Sequence, residues 1–215
     1  MRRLLPVLLG LLLLSAACTK EDGLRYSGLE MGQLCKGIFT TDRQIALSVT
    51  GNPSGYDLQS DRRIMARYQA FSDKGETTIS LLELWETVTV LPVPAGDAPG
   101  LVTDDPVSLE DAWFSGGYLN LGLRFKGNDP DLHRFSLAFS NEQGKMHLRL
   151  YHDNRENVRT DDNRHAYLCF PLETVTEAFR KETPDAKLVP IVLSWMGYNA
   201  EGTADLLRQE GNYRP

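Results

Sequence analysis

From Gln44 onward the apolar residues of this chain recur at every second position, and that regularity excludes most folds. Ile45, Leu47 and Val49 alternate with Gln44, Ala46 and Ser48, and Ile64, Ala66, Tyr68 and Ala70 alternate with Met65, Arg67 and Gln69. Leu119, Leu121, Leu123 and Phe125 form one stripe, opposed by Asn120, Arg124 and Lys126, and Met146, Leu148 and Leu150 form another. Successive strand side chains point to opposite faces, so this period means strands with one face toward a core. Thr77 to Val90 reads as a long strand rich in β-branched residues, and Leu188 to Trp195 as a dense late one. Only Glu173 to Lys181, with Val175, Ala178 and Phe179, has helical spacing. The chain is predicted to be mainly β, with one short helix.

Turn signals divide the pattern. Gly51-Asn52-Pro53-Ser54-Gly55 and Asp73-Lys74-Gly75 close the early strands, which read as a meander or small barrel. Leu91 to Pro106 collects Pro92, Pro94, Pro99 and Pro106 with Gly96 and Gly100, and marks a boundary. Beyond it, antiparallel alternation with turns at short intervals predicts a β-sandwich.

The beginning of the chain carries an address. Arg2 and Arg3 precede an apolar run from Leu4 to Leu14, and small residues Ser15-Ala16-Ala17 follow, the composition of a cleaved signal peptide over 1–17. The run is too short to span a bilayer, which needs about 20 apolar residues. Leu14-Ser15-Ala16-Ala17-Cys18 resembles a bacterial lipobox, with Ser15 where Leu is more usual. The resemblance implies a diacylglycerol and a fatty acid on Cys18, chains sufficient for stable attachment to a membrane. Lys20-Glu21-Asp22 resembles the lipoprotein export signal of the Bacteroidetes, which implies the outer face of the outer membrane. Residues 18–33 then read as a lipidated tether.

The segment Ala112-Trp113-Phe114-Ser115-Gly116-Gly117-Tyr118-Leu119-Asn120-Leu121 resembles the signature of the NigD-like lipoproteins of Bacteroidetes. The stretch from Phe125-Lys126-Gly127 to Leu150-Tyr151-His152 and the strand Ala166-Tyr167-Leu168 fit the same pattern. The resemblance covers nearly all of the chain after the leader and is strongest from Leu84 to His152. It implies an OB-like domain over 34–92, a linker over 93–106 and a C-terminal β-sandwich over 107–212. No catalytic residues come with it.

The formal charge of −6 becomes −8 once Arg2 and Arg3 leave with the leader, a poor match for phosphates, so nucleic acid is excluded as a partner. There is no nucleophile elbow, metalloprotease helix, phosphate loop or dinucleotide fingerprint. Glu83 and Glu86 lie three apart in one strand and face opposite sides, which spoils them as a glycosidase pair. His133, His147, His152 and His165 read as surface or turn histidines, since 147 and 152 point oppositely in a strand. The mixed charges of 152–165 and Asp129-Pro130-Asp131 read as self-paired loop and turn, so no metal is expected. Cys35 and Cys169 read as buried free thiols, with a bridge between them as the alternative. Gly116-Gly117 reads as a bulge or bend. Trp85 and Trp113 read as core, whereas Tyr118 and Tyr151, opposite the leucine stripes, are the candidates to contact a ligand. The expected function is a non-enzymatic binding or interaction module, lipid-anchored at the outer membrane and exposed at the cell surface, with a glycan or an envelope protein as partner. A surface glycan-processing enzyme and an accessory subunit of an envelope or secretion assembly are the alternatives.

Overall fold

The alternating segments all become strands. The computed structural model describes residues 24–98, 104–127, 132–155 and 163–215. The signal peptide, Cys18, Lys20, Glu21 and Asp22 lie outside these residues, as do Asp129, Asp131, Asp161 and Asp162. The strands are β1 (Leu24–Cys35), β2 (Ile38–Thr41), β3 (Ala46–Gly51), β4 (Arg62–Asp73), β5 (Glu76–Thr89), β6 (Val93–Pro94), β7 (Ser108–Ser115), β8 (Tyr118–Lys126), β9 (Arg134–Glu142), β10 (Lys145–Asp153), β11 (Asn163–Pro171), β12 (Val189–Tyr198) and β13 (Ala204–Tyr213). One helix, α1 (Glu173–Glu182), precedes β12.

The first five strands pair in the order β1-β2-β3-β5-β4 and back to β1, a closed ring in which only β3 and β5 run parallel. Closure leaves these strands no unpaired edge along the paired length. Inside lie Leu34, Phe39, Leu47, Ile64, Tyr68, Ile79 and Leu81, all buried. The ring stands where the OB-like unit is expected.

It starts earlier than the sequence suggests. Residues 18–33 read as a tether, yet Leu24–Cys35 is a strand paired along nearly its whole length with β4. The glycines that suggest a tether serve close packing instead. A Cβ on Gly28 would lie 2.3 Å from Tyr68 Cζ, and one on Gly32 would lie 2.2 Å from the Thr40 carbonyl oxygen. Only glycine lets β1 close against its neighbours there.

Beyond the ring, β5 pairs in parallel with β11, and the sheet continues through β8 to β7. A second sheet runs β13-β12-β10-β9-β6. The two sheets face each other and bury Leu119, Leu121 and Leu123 from one side with Leu137, Leu148, Leu150 and Trp195 from the other. This is the expected β-sandwich. α1 matches the predicted helix to within a residue and buries Val175, Thr176 and Phe179; Glu173 in its first turn and Arg180 and Lys181 in its last complement the helix dipole.

Two further expectations change. The described residues of 93–106 are no free linker: Val93 pairs with Ala138 of β9, and Asp105 N–H donates to the His152 carbonyl at 2.8 Å. Proline is tolerated there because β6 is an edge, where the missing N–H is not needed. β13 has no apolar alternation because most of its side chains are exposed, so the period gives no sign of it. Trp85 and Trp113 are half-buried rather than core.

Candidate functional site

The eight-stranded sheet has a face that belongs to neither core. Register places Met65 of β4 beside Trp85 of β5, Tyr167 of β11 beside Gly122 of β8, and Asn120 of β8 beside Trp113 of β7. The sheet folds over on this face, bringing the β7–β8 hairpin against β1, β4 and the turn after β2. A polar cluster closes the bottom of that fold. Arg63 donates from both terminal nitrogens to the two Asp42 carboxylate oxygens at 2.7 Å each, and from Nη2 to Asn120 Oδ1 at 3.0 Å. Ser115 Oγ donates to the same carboxylate, Asn120 Nδ2 donates to Ser115 Oγ at 3.0 Å, and Cys169 Sγ donates to Asn120 Oδ1 at 3.3 Å. The Arg63 guanidinium also lies 4.0 Å from the centre of the Tyr118 ring.

Charge this deeply placed needs such compensation. The Arg63 and Asp42 side chains are 7% and 10% exposed. Burial alone would lower the Arg63 pKa, but the paired carboxylate outweighs it and the guanidinium is held more firmly charged than usual. Burial pushes the Cys169 thiol up, although Arg63 opposes the shift. Cys35 and Cys169 are both free thiols.

Above this clasp the two walls part to leave a cleft of about 630 Å³. Leu29, Met31 and Met65 line the ring side, Asp111 and Trp113 line the hairpin side, and Arg43 stands at the turn after β2. A bulge between Leu109 and Asp111 turns the Asp111 side chain onto this face. Arg43 pairs with Glu30, whose carboxylate also accepts from the Tyr68 hydroxyl at 3.0 Å. Burial and the Glu30 carboxylate both push that phenol up. The volume falls within the range of small-ligand sites.

A family model described as the NigD-like C-terminal β-sandwich domain matches residues 91–202, just over half of the chain. The chain belongs to the NigD-like family. Among solved structures it is similar to a NigD-like immunity protein from Bacteroides caccae, with 25% identity, a TM-score of 0.70, and coverage of 88% of this chain and 97% of that one. A protein of unknown function from Bacteroides vulgatus (16% identity, TM-score 0.64, 88% and 91% covered) and a candidate lipoprotein from Bacteroides fragilis (14% identity, TM-score 0.59, 89% and 99% covered) share the fold. No curated protein matches the chain.

The NigD-like signature now has a physical meaning. Gly116-Gly117 is the two-residue turn between β7 and β8, with φ of +58° and +85°, rather than a bulge or bend within a strand. Ser115 and Asn120 of the same segment hold the clasp. Tyr118, one of the two candidate ligand contacts, is half-buried with Arg63 on its ring. Tyr151 is also half-buried, on the outer face of the other sheet with the Arg149 guanidinium 5.2 Å from its ring centre. The two tyrosines therefore share no site.

The histidines separate likewise. His133 and His152, expected near the surface, are buried in the sandwich, stacked with ring nitrogens 2.8 Å apart beside Phe125 and Phe135. The Met146–Leu150 stripe continues inward to His152, which alternation alone assigns to the core face. Burial, and then the neighbouring His133, lower the His152 pKa to about 4. His165 remains exposed, within 3.1 Å of Glu110. Glu83 and Glu86 pair with Arg67 and Arg62 respectively. Among the described residues no group of three or more His, Cys, Asp or Glu is placed to hold a metal, and no helix is long and apolar enough to cross a membrane. Sequence reading missed Asp42 and Arg63 altogether. The one available signal for the clasp is Asn120, a polar residue amid the most apolar strand of the chain.

Proposed function

We propose that the protein is a non-enzymatic binding module of the Bacteroidetes cell envelope, lipid-anchored through Cys18 and displayed at the cell surface. The cleft carries this reading: it is walled by two parts of the chain distant in sequence, and its floor is fixed by buried charge. A floor so held keeps the walls in place before a ligand arrives, which lowers the ordering cost of binding. The lipobox-like Leu14 to Cys18 and the Lys20-Glu21-Asp22 tripeptide support the address. The likeness to a NigD-like immunity protein and a candidate lipoprotein supports a non-enzymatic envelope role.

Three measurements test the reading. Labelled palmitate should enter the protein and be lost from Cys18→Ala, and protease added to intact cells should remove it; unlabelled or protected protein refutes the address. A photo-crosslinking residue at Leu29, on the cleft rim, should form adducts on living cells. The same residue at Gln143, in the β9–β10 turn, should not. Equal labelling from both, or none from either, defeats the cleft as a binding surface.

A further inference from the structure

The charges around the cleft are already balanced against one another. Glu30 pairs with Arg43, Asp42 with Arg63, and, further along the same face, Glu83 with Arg67. Of the carboxylates lining the cleft, Asp111 alone has no ion-pair partner among the described residues. Among the described residues lining the cleft no cation is left uncompensated for a phosphate or sulfate, and one carboxylate is a thin counter-charge for a polybasic segment. Between these groups lie surfaces of another kind. Trp113 offers a large amphipathic ring, and Met31 and Met65 offer soft, adaptable thioethers.

A second hollow of about 430 Å³ opens where β5 and β11 diverge, lined by Trp85 and Tyr167, whose rings meet edge to face at 6.3 Å. The hollows adjoin. Met65 lies beside Trp85 in the strand register, and a Cβ on Gly122 would be 3.5 Å from Tyr167 and 3.8 Å from Asp111. An aromatic track runs between ion-paired groups whose remaining hydrogen-bonding capacity is intact. Such a surface suits a ligand with apolar ring faces and many hydroxyls, and no net charge. Hydroxyls can donate to Asp111 and Glu30 and accept from Arg43 and Arg67, while C–H faces lie against indole.

The geometry points to a neutral oligosaccharide as the ligand of this cleft, with Trp113 as its central platform and Asp111 as a hydroxyl acceptor. The inference rests on the cleft being the binding surface of the protein. The full-length lipoprotein, held in a non-glycosidic detergent, is screened against neutral, sulfated and uronate-containing oligosaccharides, and bound sugars are titrated by calorimetry. Neutral oligosaccharides are expected to bind, and Trp113→Ala to weaken them about tenfold or more while Trp113→Phe retains most affinity. Tyr198→Ala, at an exposed aromatic on the far sheet, should leave binding unchanged. Should Trp113→Ala not fold, Asp111→Ala at an exposed position takes its place, with a loss of about fivefold.

No neutral sugar bound at about 10 mM, preference for the charged sugars, or binding indifferent to these folded variants overturns the inference. Cleft adducts from Leu29 in cells, combined with no sugar binding, would overturn the ligand class and leave the binding module intact. Absence of both would remove both.

Discussion

Two buried polar clusters in this protein meet the same difficulty in opposite ways. The clasp at the base of the cleft buries full charges and pairs them: Arg63 and Asp42 share two hydrogen bonds, Asn120 accepts a third from Arg63, and Ser115 donates to Asp42. The histidine stack inside the sandwich keeps His152 neutral, since burial and His133 both disfavour its protonation. One cluster holds the ring against the hairpin with charge and the other fills a core by shedding it. Position explains the difference. The clasp joins segments whose backbones must be locked in register, a task that directional bidentate bonds perform well. The stack lies among Phe125 and Phe135, where a ring is useful and a charge is not.

The sharpest way to break the comparison is to remove one charge from the clasp. Arg63→Ala leaves Asp42 with its main compensation gone in a nearly closed site, and should cost about 3–5 kcal/mol. The midpoint of urea unfolding measures it. The double variant Arg63→Ala/Asp42→Ala should recover part of that loss, because the stranded charge is then absent. A cost below about 1 kcal/mol for Arg63→Ala would mean that the ring and sandwich are held by packing alone.

The histidine stack should respond to acid instead. The unfolded chain binds a proton on His152 near its ordinary value of about 6.5, whereas the folded protein resists until about pH 4. Between those values the unfolded state holds more protons, so stability falls as pH falls, by about 3 kcal/mol across the window. Above the window the contribution is fully present. The Asp105 carbonyl and the Asp105 and Asp153 charges soften the shift without reversing it. His152→Phe, which keeps a ring beside Phe135, should flatten the dependence in thermal melts between about pH 4 and 6.5. An unchanged slope would assign the acid response to other groups. Arg63 is held charged throughout this window.

The same contrast separates what could be read in the sequence from what could not. Leucine stripes such as Leu119 to Phe125 announced their strands, because a period of two has one geometric meaning and local residues suffice to see it. The late helix was equally plain. β1 was hidden because Gly28 and Gly32 look like flexibility until Tyr68 and Thr40 are seen against them. β13 was hidden because an edge strand facing solvent needs no apolar period. The clasp was the least legible part. Arg63 and Asn120 meet across 57 positions of sequence, and each alone looks like a residue on a wet face. His152 was misread for a related reason, since strand alternation placed it inward while its chemistry suggested solvent. The proposed address at Cys18 rests wholly on local motif.

The finest test of the comparison uses the two glycines of the β7–β8 turn. Both have positive φ, so alanine at either position carries the left-handed penalty of about 1–2 kcal/mol. Around Gly117 a new Cβ would meet nothing within 4 Å, whereas at Gly116 it would lie 2.5 Å from Asp42 Oδ1. Both variants carry a backbone cost of the same kind, and only Gly116→Ala adds displacement of the Asp42 carboxylate. Gly116→Ala should be less stable than Gly117→Ala by about 1 kcal/mol, the scale of a strained hydrogen bond. In the Arg63→Ala/Asp42→Ala background that gap should narrow, because the carboxylate is gone and only the Cβ of residue 42, 3.1 Å away, remains against the new methyl. If the gap persists undiminished there, the turn resists alanine for its own reasons and the clasp is not what Gly116 protects.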